Sequence, residues 1–185
     1  MNRTFFARDV VTVARALIGT TLTIDGVGGT IVETEAYDAN DPASHSFSGP
    51  GVRNAAMFGP AGAAYVYRIY GLHHCLNVTC GDGAAVLIRA LAPAMGTEVM
   101  RARRATTQAE ALLCAGPGRL CKALGVDLSL DAVPLDAPPF AWRDRTAAPP
   151  IAAGPRIGIT RAAGVPWRFV LQGSPSLSRP APKAQ

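Results

Sequence analysis

Three observations predict an α+β fold built as one domain. The chain opens with helical periodicity, it continues as extended segments joined by short Gly/Asp turns, and no repeat or polar linker divides its 185 residues. That length is enough for a real core. With 49% hydrophobic and 17% charged residues, the composition excludes wholesale disorder.

Phe6, Val10, Val13, Ala14 and Leu17 recur at helical spacing across residues 5–18, and Gly19 follows where a helix ends, which predicts an amphipathic first helix. A Thr/Leu/Ile run ending at Ile24 and a second run over residues 30–37 flank Asp25-Gly26-Val27-Gly28-Gly29, a hairpin pattern. Residues 38–62 hold Pro42, Gly49, Pro50, Gly51, Gly59, Pro60 and Gly62, too many breakers for a long regular element, and long loops in compact domains are usually functional. Strands are expected over 63–70, 72–79 and 84–91, the last two joined through Cys80-Gly81-Asp82-Gly83, where Gly and Asp accept positive φ. One helix is expected from Thr97 through Arg101, Arg103 and Arg104, and another from Pro117 to Gly125, matching the preference for Pro at helix starts and Gly at helix ends. Short strands near Phe140, over 156–160 and over 167–171 complete the core. The domain is placed at residues 1–175, and residues 173–185 read as a frayed end, with 176–185 a flexible tail.

Cations outnumber anions 18 to 13, for a net charge of +5, and 16 of the 18 are Arg. Such a surplus suits a polyanionic partner, but Arg is also the best donor for fixed ion pairs. Only Lys122 and Lys183 carry a side-chain amine, so chemistry through a lysine Schiff base has two candidates at most. No apolar run approaches the ~20 residues of a membrane helix. Arg3, Arg8 and Asp9 also interrupt the region where a signal peptide would be apolar, so a cytoplasmic protein is expected. Cys75, Cys80, Cys114 and Cys121 lack C-x-x-C spacing and lie among apolar residues, which favours buried reduced thiols over a metal site or disulfides. Neither metal nor cofactor is expected.

In Ile31-Val32-Glu33-Thr34-Glu35-Ala36-Tyr37 the strand period of two puts Glu33, Glu35 and Tyr37 on one face. Paired carboxylates of this kind serve in glycosidic hydrolysis, though on the pattern alone alternating Glu on a solvated strand face is the commoner case. Three of the four tyrosines, Tyr65, Tyr67 and Tyr70, fall within six positions, either as strand packing or as a stacking platform for bases. His45 stands in the breaker-rich loop, and Asn77 alternates with Leu76 and Val78 and so points away from them. Arg89 interrupts an apolar strand and requires an anionic or carbonyl partner, for which Glu35 is the natural candidate. Arg101, Arg104, Arg119 and Lys122 can meet phosphates or simply form solvated helix faces.

Val32-Glu33-Thr34-Glu35-Ala36-Tyr37, Ala43-Ser44-His45-Ser46, Tyr65-Val66-Tyr67-Arg68-Ile69-Tyr70-Gly71 with Cys75-Leu76-Asn77-Val78, Val86-Leu87-Ile88-Arg89-Ala90-Leu91, Gly116-Pro117-Gly118-Arg119-Leu120-Cys121 and Gly154-Pro155-Arg156-Ile157-Gly158 occur in one order and spacing. Together they closely resemble the alkyladenine (3-methyladenine) DNA glycosylase family, over roughly residues 8–175. The resemblance implies a single domain on a curved, open-barrel-like antiparallel sheet with surrounding helices. It implies a monomer acting on double-stranded DNA, excising 3-methyladenine, 7-methylguanine, hypoxanthine or ethenoadenine after base flipping. Carried over by position, Glu35 is the general base, Arg89 helps hold the attacking water, and Tyr37, His45 and Tyr67 sandwich the flipped base. Asn77 crowds the exocyclic amine of guanine, Tyr70 is the wedge, and Glu33 is left to structure. The scarcity of lysine agrees with water as nucleophile and an abasic product rather than a lyase. Two departures stand out: Ser176 replaces an expected Trp, and the basic N-terminal extension of longer members is missing. A free-nucleoside hydrolase and a catalytically silent damage-binding module are the rival readings.

Overall fold

Asn2 and Asp9 each turn the chain into a helix by accepting a backbone N–H, from Phe5 and Thr12 respectively. The single opening helix expected over 5–18 is therefore two, α1 (Arg3–Phe6) and α2 (Val10–Leu17), because Asp9 caps the second. The computed structural model describes residues 1–182, and Lys183 lies outside the described residues.

Strands β1 (Thr21–Ile24) and β2 (Val27–Tyr37) form the first hairpin. Its turn is Asp25-Gly26 alone, both at positive φ (49° and 77°), which matches the natural twist of a two-residue hairpin. Gly28 and Gly29, expected in the turn, run inside β2. A Cβ there would lie 2.0 Å from the Leu22 and Ala92 carbonyl oxygens respectively, so only glycine permits this approach of three strands. The long loop that follows contains a 3-10 segment, Val52–Phe58, whose Ala56 and Met57 pack with Tyr65 and Ala85.

Strands β3 (Ala64–Ile69), β4 (His73–Gly81) and β5 (Ala84–Met95) form a meander, with Asp82-Gly83 at the second turn. Helices α3 (Thr97–Arg104) and α4 (Pro117–Leu124) fall where Pro117 and Gly125 place them. Three short strands close the chain: β6 (Phe140–Arg143), β7 (Ile151–Gly154) and β8 (Arg168–Leu171). The strand expected over 156–160 is absent, since Pro155 and Gly158 (φ 77°) bend that stretch, and β7 pairs with β8 instead.

All pairings are antiparallel, in the order β3-β4-β5-β2-β1-β6, with β8 added to β2 and β7 to β8. Long β2 thus pairs with β5, β1 and β8, and the sheet curls around it. The register shifts between Ile31 and Thr34 locate this bend at Glu33. Helix α2 covers β2 and β5, and α4 covers β4 and β5; Leu17, Ile31, Ile88, Leu91 and Leu120 between them are fully buried. All four cysteines are free thiols, and burial pushes those of Cys80 and Cys114 up to about 12. No helix among the described residues is long and apolar enough to cross a membrane.

The frayed end expected after Gly173 is instead packed through Pro182. Ser176 is buried, Arg168 donates to the carbonyls of Arg179 and Pro180, and Pro182 lies against Gly154. Sequence composition could not reveal this, because the anchors are backbone carbonyls and one serine rather than an apolar pattern.

Candidate active site

The two glutamates on β2 differ in what remains free on them. Both are fully buried, so neither belongs to a solvated face. Glu33 receives four donors: Arg89 Nε at 3.1 Å, Arg168 Nε at 2.8 Å, the Ser178 amide at 2.6 Å and Ser178 Oγ at 2.8 Å. Three of these fall on Oε1 and one on Oε2, and two of them come from arginines, so Glu33 is the more heavily held of the two carboxylates. Glu35 receives three: Arg89 Nη1 at 3.2 Å and Tyr37 Oη at 2.8 Å on one oxygen, and the Ile157 amide at 2.7 Å on the other. Roughly one acceptor site is left for a water.

Glu35 sits one layer behind the wall of a cavity of about 420 Å³, and the three residues that donate to it all line that cavity. The volume falls within the ~300–1,000 Å³ of small-ligand sites. Tyr37, His45, Tyr67, Tyr70, Asn77 and Arg89, all singled out from sequence, line it together with Tyr65, Met57 and Cys75. Arg89 is the one permanently charged side chain in the lining. Its burial disfavours the charge, but the carboxylates of Glu35 and Glu33 outweigh this and raise its pKa.

Neutral rings and apolar or uncharged polar side chains make up the rest. Burial, reinforced by Glu35, raises the Tyr37 phenol far above its ordinary value, and burial beside Cys75 does the same for Tyr67. Tyr65 is pushed up to about 12, chiefly by burial. His45 is held below the ordinary imidazole value by burial and then by Arg53, so it is neutral at pH 7. Its ring meets Tyr67 edge-on at 4.5 Å between centroids, while its Nδ1 lies 2.8 Å from Tyr65 Oη. Asn77 is fixed by donating from Nδ2 to the Tyr65 carbonyl at 2.9 Å. At the mouth, the β3–β4 turn projects Tyr70, which is 86% exposed with φ 51°, and Leu72, 80% exposed.

A protein-family profile described as "Methylpurine-DNA glycosylase (MPG)" matches residues 4–175, nearly the whole chain. The chain belongs to that family.

Three curated relatives agree, each named "Putative 3-methyladenine DNA glycosylase". One from Rhodopseudomonas palustris (strain HaA2) is 57% identical over 183 residues, covering 97% of this chain and 90% of the relative. One from Nitrosospira multiformis is 56% identical, covering 95% and 92%. One from Rhizobium etli is 57% identical, covering 96% and 88%. The protein is thus a base-excision-repair DNA glycosylase with a DNA substrate.

In this glycosylase the four rim cations separate into two kinds. The Arg101 guanidinium donates to the Gln108 carbonyl at 2.7 Å, and Arg104 donates to the carbonyls of Leu112 and Leu113, so both brace the loop after α3. Arg119 and Lys122 are exposed on α4, and Lys122 shares a shallow depression with Leu72, beside the β3–β4 turn. Arg119→Ala is expected to lower the slope of log affinity against log salt by about one, whereas Arg104→Ala leaves that slope unchanged and lowers the melting temperature. Equal slopes for wild type and Arg119→Ala in a salt titration of duplex binding would contradict this.

Several residues of the site escaped sequence reading. Arg156 is buried, paired with Asp41, and stacked on the rings of Tyr37 (4.6 Å) and Trp167 (5.4 Å). It joins the loop carrying His45 to the one carrying Ile157. Arg168 pairs with Glu33. Each interrupts a largely apolar stretch as Arg89 does, a signal that could have marked them. Ile157, which acts through its amide, stands in a family motif without an assigned role, and Ser178 carried no signal. Among the described residues no cluster of His, Cys, Asp and Glu could hold a metal.

Proposed function

We propose that this glycosylase acts as a monomer on double-stranded DNA and excises 3-methyladenine, 7-methylguanine, hypoxanthine and ethenoadenine by hydrolysis, leaving an abasic site. The observation that carries the reading is the one acceptor site left on Glu35 beside a cavity lined by neutral rings. A purine in duplex DNA hides its glycosidic carbon, so the nucleotide must leave the stack, at a cost of a few kcal/mol. Tyr70 fills the gap as the wedge, held outward at the tip of its turn. The extruded purine stacks among Tyr37, His45 and Tyr67, and base–aromatic stacking contributes ~1–3 kcal/mol per base.

A water at the remaining site of Glu35 is aimed at C1′ by Arg89, whose guanidinium has N–H groups beyond the three used within the protein. Glu35 accepts its proton as the C–N bond breaks and the carboxylate offsets the oxocarbenium-like charge on the sugar. The purine departs with the bonding electrons. Asn77, immobile on the cavity wall, crowds the exocyclic amine of a normal guanine. Lys122 lies in a different depression from the reacting carbon, which supports water over an amine as nucleophile and hence no strand cleavage. Arg119 and Lys122 meet backbone phosphates; Arg101 and Arg104, first grouped with them, are assigned to the loop they brace.

The test is base release from duplexes carrying each of the four lesions, with alkaline treatment to reveal abasic sites. Product on at least one alkylated and one deaminated or etheno purine is expected, and release from none of them would overturn the substrate assignment. Tyr70→Ala is expected to slow excision of a well-paired lesion more than that of the same lesion opposite a mismatch. Equal slowing of both would remove Tyr70 from extrusion.

A further inference from the structure

The segment that composition marks as a tail reaches Glu33 and Arg89 through Ser178. We propose that Ser178 is a positioning residue for Arg89, so that the C-terminal strap is part of the active site; this rests on Glu35 and Arg89 acting as described above. Ser178 Oγ donates to Glu33 Oε1 at 2.8 Å and accepts from Arg89 Nη2 at 3.2 Å, while its amide donates to Glu33 Oε2 at 2.6 Å. A hydroxyl alone among small side chains both donates and accepts strongly at one atom. Arg89 is therefore held by three acceptors in different directions, Glu33, Glu35 and Ser178, which fixes the plane of its guanidinium.

The strap itself has no freedom to drift. Arg168 bonds Glu33 through Nε and the carbonyls of Arg179 and Pro180 through its two terminal nitrogens. Beyond it, Pro182 closes on Gly154, where an added Cβ would lie 2.5 Å from the proline ring. Arg168 and Glu33 thus place Ser178, and Ser178 with Glu33 places Arg89. Without the hydroxyl, Arg89 keeps its charge partners and loses its third orienting contact, so the guanidinium can turn about the remaining two.

The experiment is single-turnover excision at saturating enzyme on a hypoxanthine duplex (or whichever of the four lesions wild type releases fastest), with lesion affinity measured in parallel. Ser178→Ala is expected to lower the rate constant about 10- to 100-fold, the range for misplacing a catalytic group by around 1 Å, with affinity within about twofold. Ser178→Cys, nearly the same shape but a weak donor and acceptor, keeps the fold and is expected to be slow as well. Ser178→Thr, which keeps the hydroxyl, is expected to restore most of the rate. A purely structural role would lower the reaction amplitude and leave the rate constant of the folded fraction unchanged. Wild-type rate constants for Ser178→Ala or Ser178→Cys, with Glu35→Gln inert, would overturn the inference and spare the reading beneath it. A Glu35→Gln enzyme that still releases base would instead overturn that reading.

Discussion

Glu35→Gln is expected to bind a lesion-bearing duplex and release almost no base from it. Three donors converge on the Glu35 carboxylate, from Arg89, Tyr37 and Ile157. A glutamine has one acceptor oxygen, so its NH₂ must face either Ile157 or the Arg89–Tyr37 side. Whichever way it turns, the site that would take the proton from water is lost, and general-base catalysis is worth typically ~10²–10⁴-fold. With the proposed stacking rings and wedge left intact, lesion affinity is expected to survive. Single-turnover excision together with equilibrium binding separates the two. Retention of the wild-type rate would show that another group accepts the proton.

The largest effect on stability is expected from Asp41→Asn. Asp41 and Arg156 form a buried pair in which Arg156 lies against the rings of Tyr37 and Trp167, so it has no route to water. Removing the charge of one partner strands the other, which costs about 3–5 kcal/mol, and for a chain of this size each kcal/mol lowers the melting temperature by ~2–4 °C. A fall on the order of 10 °C is expected in thermal unfolding. A variant within 2 °C of wild type would mean that Arg156 finds other compensation. Because Asp41 anchors the loop of His45 and Arg156 precedes Ile157, the folded variant is also expected to excise more slowly.

What could be read from sequence was whatever depends on near neighbours. Asp25-Gly26, Asp82-Gly83, Pro117 and Gly125 act within a turn of chain, and the elements they bound do form, although β2 already begins at Val27. The period of two put Glu33 and Glu35 on one side, and both do reach Arg89. Whether that side was wet could not be read, because the groups that bury it are remote: Arg89 is 54 residues from Glu35, Arg168 is 135 from Glu33, and Ser178 is 145 from Glu33. The same distance hid the packed C-terminal strap. The motifs carried information the local rules lacked, since a family pattern records remote pairings that one chain's periodicity cannot.

Tyr70 adopts a left-handed backbone (φ 51°), and a side chain there costs about 1–2 kcal/mol, a strain the fold itself must carry. In its proposed role as the wedge, the ring is presented by the geometry of the β3–β4 turn, where it stands exposed. A wedge presented in this way would meet every base step with the same ring, and damage would be sensed by how readily a nucleotide yields to it.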